Sequence, residues 1–536
     1  MRIKEVIRKY WLVVFIVSLL YFLYAFFVLS PHSYKHFSLI DDGQSVHNSY
    51  LFDECFNSGE CAPLKEILIE KQSGRFRPGY WGIQHILYKV LGINPILHHQ
   101  FRVYIVGYLL LLLLMASAIQ AGGGPLSVIL SSGIFVSSFS FSENIIRLGP
   151  QEPYQILLIG FFSLIYLSRS GVKRIKSYPR AFTSLLVFML LAAITVKEPS
   201  FVIVFAPLFI SFLYIKKESD KKLSVKLAIF VVLFVVAGKL LARPQNETLA
   251  YAENFQINFE RFFGNGLAYT LHISNMTSPF LKLVGLTFPV VFFSKKLRKE
   301  IINEQFLFWV LAFFLSTAIL LPWRFVLDRY ILVPIFCFSI ITGVLFSKIA
   351  DYLMASIFRW GKTAMYKIII TLVLVIIFTN LFFVGFPVNL AKTINYKNWY
   401  SQCLEFGADQ VMAISALENE TLYINATDSL GTWEVLYEIP LHLKYLYNKD
   451  VRTQRLKGDL PNTGYLFTRI PFELAIEEPE LIKLNYKIIK SKSYEIKQID
   501  PLVFREKFPL RPIKTLSEPP LKEDSFNYYW EIRQLE

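Results

Sequence analysis

Up to Pro387 the chain alternates long apolar runs with short polar stretches, and beyond it that pattern stops. A helix that crosses a bilayer needs about 20 mostly apolar residues. The first such run extends from Tyr10 to Leu29, behind Arg2, Lys4, Arg8 and Lys9. Its apolar core is long and no small-residue cleavage site follows. It therefore predicts a retained anchor with a cytoplasmic N-terminus rather than a signal peptide. Further runs start near Phe101, Leu126, Tyr154, Ala181, Phe201, Leu223, Met276, Gln305, Ile331 and Ile368, which predicts about eleven spans.

Alternating the spans from a cytoplasmic start tests this reading internally. The basic clusters Arg169–Arg180, Lys216–Lys226, Lys295–Lys299 and Lys348–Lys367 all fall on the cytoplasmic side, as the positive-inside rule requires. The two long loops, Ser30–Gln100 and about Ala242–Asn275, fall outside, and so does the tail. Within the first of these, apolar residues recur at helical spacing between Ala62 and Leu91. That pattern predicts amphipathic helices lying on the membrane surface.

In the tail, Thr421–Ala426, Gly464–Arg469 and Tyr486–Gln498 show strand-like patterns, with helix-like stretches at Asn398–Glu418 and Thr432–Tyr447. The expected architecture is thus a polytopic α-helical membrane domain over residues 1–386, followed by a soluble extracytoplasmic α/β domain over 387–536.

Composition agrees. The 536 residues are 54% hydrophobic and only 18% charged, which excludes disorder, collagen-like structure and a simple cytosolic enzyme. A net charge of +15 raises the question of nucleic acid. Its distribution answers it: the inner segments hold 22 basic against 6 acidic residues, the rest of the chain before Pro387 holds 15 against 14, and the tail 19 against 21. The excess is a topology signal, and no nucleic-acid partner is implied. Of four cysteines, Cys55 and Cys61 lie close together in the first outer loop, where an oxidising compartment would permit a disulfide. No cluster has zinc-ligand spacing.

The outer loops carry the candidate chemistry. Asp41-Asp42 follows the first span directly; adjacent carboxylates can divide labour, one taking a proton while its neighbour orients a group. Asp-Gly is equally an ordinary turn signal. Arg75 and Arg77 flank Phe76 further along the same loop, and guanidinium forks suit a phosphate at the interface, although such arginines also simply snorkel. The second outer loop offers Glu143, Arg147, Gln151 and Glu152, with Pro150 and Pro153 fixing its shape. Lys197-Glu198 lies between two apolar runs, and must be self-paired or line a polar cavity. Arg324, Asp328, Arg329 and Tyr330 lead into a late span, with Arg329 open to pairing with Asp328 or with a lipid phosphate.

These features resemble the GT-C superfamily of membrane glycosyltransferases, which use polyprenyl-phosphate sugars as donors. The resemblance rests on Asp41-Asp42 after span one, surface helices with Gly-Arg-Phe-Arg-Pro, and the Arg-Leu-Gly-Pro-Gln-Glu-Pro and Lys-Glu-Pro turns. Arg329-Tyr330 before a late span and a soluble domain after the last one complete it. It implies a general base at Asp41, with Asp42 as neighbour and substitute. It further implies donor-phosphate binding by Arg75, Arg77, Arg324, Arg329 and Tyr330, of which Arg77 and Arg329 are foremost. Acceptor binding or site shaping falls to Glu143, Arg147, Gln151, Glu152, Lys197 and Glu198. No cofactor is required, and no metal is indicated.

The short loops and outer tail are similar to bacterial members that decorate O-antigen, lipid A or other envelope glycans. That implies an inner-membrane enzyme using an undecaprenyl-phosphate sugar and a glycan acceptor, inverting the anomeric centre at the periplasmic face. A flippase and a polyprenyl-phosphate sugar synthase would be its functional neighbours. Sequons at Asn246, Asn275, Asn419 and Asn425 would suit an endoplasmic-reticulum protein too. Two rivals stand beside this reading: an O-antigen polymerase or ligase, and a polyprenyl-glycan flippase or transporter. The early Asp-Asp and the surface helices argue against the first. Charges gathered at one face, with no internal repeat, argue against the second.

Overall fold

The computed structural model describes residues 3–39, 42–70, 75–168, 179–213, 218–242, 258–277, 295–323, 325–360, 364–417, 421–424, 432–455, 463–469, 487–507, 511–522 and 526–535. The protein is a multi-pass helical membrane protein with a small sheet domain at its C-terminal end.

Helix α1 (Ile3–Tyr24) continues through a π-helical turn to Leu29 and stops at Ser30, which adopts a left-handed conformation. Its large apolar side chains point outward, with Trp11, Phe15 and Phe27 all more than half exposed, as lipid-facing residues are. The first outer loop then folds into helices α2 (Asp42–Ser58), α3 (Ala62–Ile69), α4 (Pro78–Leu91) and α5 (Pro95–Gln100). A disulfide joins Cys55 near the end of α2 to Cys61, just before α3.

A π-helical stretch from Phe101 leads into α6 (Gly107–Gln120), followed by α7 (Pro125–Ser137) and α8 (Phe139–Ile146). The chain bends by 62° between α7 and α8, so Glu143 and Asn144 lie on a short helix instead of in the open turn that their spacing suggests. Helices α9 (Glu152–Ser168), α10 (Pro179–Val196), α11 (Phe205–Leu213) and α12 (Glu218–Leu241) come next, with a 3₁₀ stretch at Glu198–Val204 before α11. Then follow α13 (Phe259–Thr277), α14 (Lys295–Ile301), α15 (Glu304–Ala318), α16 (Leu332–Trp360) and α17 (Ala364–Ser415). Apolar helices thus occur where the sequence places its spans, except that the span expected from Met276 lies outside the described residues beyond Thr277.

Small residues let these helices approach closely, the usual device where lipid removes the hydrophobic drive between them. At Gly343 of α16 a Cβ would stand 2.7 Å from the Ser127 carbonyl oxygen of α7. Leu110, Leu114, Phe135, Phe141 and Phe336 fill the common core.

Helix α17 carries the chain out of the bundle without a break, with Pro387 inside it. Its far end packs under a five-stranded sheet of β1 (Leu422–Ile424), β2 (Thr453–Arg455), β3 (Gly464–Thr468), β4 (Lys487–Ile496) and β5 (Phe526–Leu535). Their order is β2-β1-β3-β5-β4; β1 runs parallel to both neighbours, while β5 is antiparallel to β3 and β4. Helix α18 (Thr432–Tyr447) joins Phe406 and Ile414 of α17 in the core beneath the sheet. Leu39, from the segment just before α2, is buried in that same core.

Candidate active site

Three groups of side chains lie at the end of the bundle that carries the sheet domain. The first surrounds Asp42, the first residue of α2 and only 2% exposed. Its Oδ2 accepts a hydrogen bond from the Ser38 backbone N–H at 2.8 Å, closing the turn that reverses the chain. The hydroxyls of Tyr88 and Tyr400 are buried within electrostatic reach of this carboxylate. Burial first, and the nearby negative charge second, push both phenols above their ordinary range. Asp41 lies outside the described residues.

The second group is built on the α8–α9 connection. Arg102 is 1% exposed and spends its guanidinium on backbone carbonyls: Asn144 at 3.0 and 3.3 Å, and Pro150. Its cationic face stacks 4.7 Å from the centroid of Tyr154. Two carbonyl dipoles and the Tyr154 ring offset part of the cost of burying this charge, while its Nη1 has no hydrogen-bond partner among the described residues. These contacts pin both ends of the loop that presents Arg147 and Gln151. Arg147 lies within electrostatic reach of Tyr396, Glu143 and Arg329. Asn144 in turn donates to the Arg329 carbonyl at 2.9 Å, tying α8 to the turn before α16. In that turn Asp328 pairs with His272 of α13. Gln151 closes the loop, its carbonyl accepting from Gln155 N–H at 3.1 Å.

Lys197 centres the third group. Its ammonium bonds Glu152, whose side chain is 3% exposed, and stands 4.7 Å from the centroid of Tyr330. Arg329 packs against the same ring at 5.3 Å. Arg329 and Arg75 are both within electrostatic reach of Lys197, and Arg329 also of Glu152. A small cavity of about 20 Å³ lies beside Lys197 and Tyr330, lined also by Gln155 and by Val202, Ile203, Leu320 and Val333.

Arg77 and Glu198 hold the surface helices in place. Arg77 makes a two-pronged bond to Glu70 at 2.9 and 2.6 Å, and Glu70 also accepts from Trp81 Nε1 at 2.8 Å. Burial alone would raise the Glu70 carboxyl, but the contacts with Arg77 and Trp81 outweigh it and hold the group below its usual range. Glu198 accepts from the Phe76 backbone N–H at 2.9 Å and pairs with Lys239 at 3.0 Å.

Of the residues singled out from sequence, Arg75, Glu143, Arg147, Glu152, Lys197, Arg329 and Tyr330 form a connected group, and Asp42 shares only the neighbour Tyr400 with Arg147; Arg77 faces Glu70, Glu198 faces Phe76 and Lys239, and Asp41 and Arg324 lie outside the described residues. Sequence reasoning missed Arg102, Tyr88, Tyr396, Tyr400 and Glu438. A lone arginine opening an apolar run was the available signal for Arg102; tyrosines in apolar sequence carry none. Among the described residues no group of three or more His, Cys, Asp or Glu side chains is placed to hold a metal ion.

No family model matches the chain, and no curated protein matches it. Among solved structures it is similar to ArnT from Cupriavidus metallidurans bound to undecaprenyl phosphate, at 13% identity over 88% of this chain and 96% of that one, with a TM-score of 0.48. The apo state of the same protein is similar at 13% identity, 88% and 95% coverage and a TM-score of 0.48.

Proposed function

We propose that this chain is an integral-membrane glycosyltransferase of the GT-C type. It moves a sugar from an undecaprenyl-phosphate donor to an envelope glycan of the O-antigen or lipid A kind. The observation that carries the reading is the meeting of Lys197 with Arg329 and Arg75, Lys197 itself lining a small and mostly apolar cavity. Such a cation cluster suits the phosphate head of a lipid, and the apolar bundle beside it suits the tail. Asp42 stands at the same outer end of the bundle, linked through Tyr400 to the Arg147 loop.

In the proposed reaction a carboxylate of Asp41-Asp42 takes the proton of an acceptor hydroxyl. The freed oxygen forms a bond to the anomeric carbon as the bond from that carbon to the phosphate oxygen breaks, with inversion. Undecaprenyl phosphate leaves with its new charge met by preorganised cations, which is where such a site contributes most. Arg329 and Lys197 lead in this role, with Arg75 beside them and Arg324 a further candidate from its place in the sequence, while Glu152 holds Lys197 in place. Arg77 acts at one remove, by fixing the loop that carries Arg75. The membrane domain, residues 1–386, and the outer domain, 387–536, face the periplasm together, α17 passing from one to the other, and the N-terminus lies in the cytoplasm of a bacterial inner membrane.

The test is a vesicle assay with sugar-labelled undecaprenyl phosphate and a glycan acceptor. Label appearing in the glycan, with undecaprenyl phosphate released, supports the transferase. Label that crosses the bilayer still attached to lipid supports a flippase and overturns it.

A further inference from the structure

The chain around Asp42 is held on both sides by the C-terminal domain, through Leu39 before it and Gly43 and Gln44 after it. Upstream, Leu39 is buried between Phe406 and Ile414, so close to α17 that a Cβ on Gly407 would stand 3.0 Å from its side chain. Downstream, Glu438 of α18 reaches the first turn of α2: its Oε2 accepts from Gly43 N–H at 2.6 Å and its Oε1 from Gln44 N–H at 3.2 Å. The first N–H groups of a helix have no partner within it and carry its positive dipole end, so a carboxylate there is doubly favoured. An aspartate at a helix start commonly caps that helix itself. Here Asp42 turns back to Ser38 instead, and Glu438 takes over the cap from another domain.

The contact has a register. Gly43, His47 and Tyr50 lie along one face of α2, and Glu438, His442 and Tyr445 lie at the same spacing along α18. His47 Nδ1 and the Tyr445 hydroxyl are 2.5 Å apart, and the rings of Tyr50 and Tyr445 stack at 4.6 Å. Gly43 has no room for a side chain, because a Cβ would collide with Glu438 and stand 2.6 Å from His442 Cδ2. Glu438 itself is 3% exposed. A fully buried carboxylate is an expensive way to glue two helices together, and its placement one residue from the proposed base gives it a purpose.

We propose that Glu438 is a positioning residue of the transferase: through the first N–H groups of α2 it sets where the Asp42 carboxylate stands. The outer domain thereby completes the site in the membrane domain. This rests on the function proposed above.

The experiment uses the full-length protein in lipid vesicles, with Glu438→Gln, Glu438→Asp and Tyr445→Phe. Turnover is normalised to sites that bind undecaprenyl phosphate, so that loss of folded protein does not count. Glu438→Gln should lower that turnover by about ten- to a hundredfold, the scale of a small misplacement of a reacting group, with donor KM unchanged. Glu438→Asp should restore part of it. Tyr445→Phe, which disturbs the far end of the same contact, should keep wild-type turnover. Hydrogen exchange at the Gly43 and Gln44 amides should quicken in Glu438→Gln alone. Wild-type turnover per site in Glu438→Gln, or an equal loss in Tyr445→Phe, would overturn the proposal. Should the wild type transfer nothing, the transferase reading fails by itself. Exchange then still decides whether Glu438 holds this segment, and unchanged exchange would overturn that too.

Discussion

Lys197 and Glu152, 45 residues apart in sequence, form an ion pair withdrawn from solvent, roofed by the ring of Tyr330. Removing one partner of a buried pair leaves an uncompensated charge. Lys197→Met should therefore destabilise the protein by about 3 kcal/mol, and Glu152→Gln combined with Lys197→Met should recover much of that. Thermal unfolding in detergent checks this. Donor turnover should fail in both variants, because the second change restores packing but not the cation.

Arg77 and Arg329 should part company. Arg329→Ala is expected to raise donor KM or lower turnover with little effect on acceptor KM. Arg77→Ala should act mainly on stability, since its guanidinium fork is closed on Glu70. Initial rates with donor and acceptor varied in turn separate the two. Equal and selective donor defects from both would assign Arg77 to the phosphate as well.

The Glu70–Arg77 pair also predicts a pH dependence. Because the Glu70 carboxyl is held below its ordinary value in the folded protein, its contribution to stability is complete above the unfolded value of about 4.3. It is lost as the pH falls further, through the lowered folded value. Glu70→Gln should lose stability at neutral pH and show a shallower decline in acid. Melting temperatures between neutrality and about pH 3 test this.

Arg102 should tolerate no replacement. Lysine places one ammonium where the guanidinium spans the carbonyls of Asn144 and Pro150, and methionine strands both. Either change should loosen the loop that presents Arg147, costing about 2 kcal/mol or more and most of the transfer activity. Protease sensitivity near Arg147 provides a readout independent of turnover.

Much of this architecture was legible because a bilayer imposes strict rules. Apolar length and basic loops located the helices, and Thr432–Tyr447 was readable as a helix from its pattern. Strands β1, β3 and β4 also fell where alternation placed them. Strand β5 has no alternation to mark it, although Phe526–Leu535 carries four aromatic residues, and β2 has only three residues. The stretch from Asn398 reads as a separate helix, yet it continues the last apolar one, because Pro387 is accommodated within α17.

At the site, charged outer turns were visible one at a time, but their partners were not. Nothing local in Glu70 announces that it will close on Arg77. Nothing in Glu438, 395 positions from Gly43, announces that it will cap a helix in another domain. Such pairings are set by tertiary packing, which hydrophobic pattern does not encode.

The central claim is that a carboxylate of Asp41-Asp42 deprotonates the acceptor in a transfer from a lipid phosphate. Its most direct test is single-turnover transfer from labelled undecaprenyl-phosphate sugar by wild type, Asp41→Asn, Asp42→Asn and the double variant, with donor binding measured in parallel. At least one single variant and the double variant should bind donor as wild type does while the rate falls by about a hundredfold or more. A double variant that transfers sugar at the wild-type rate would contradict the account.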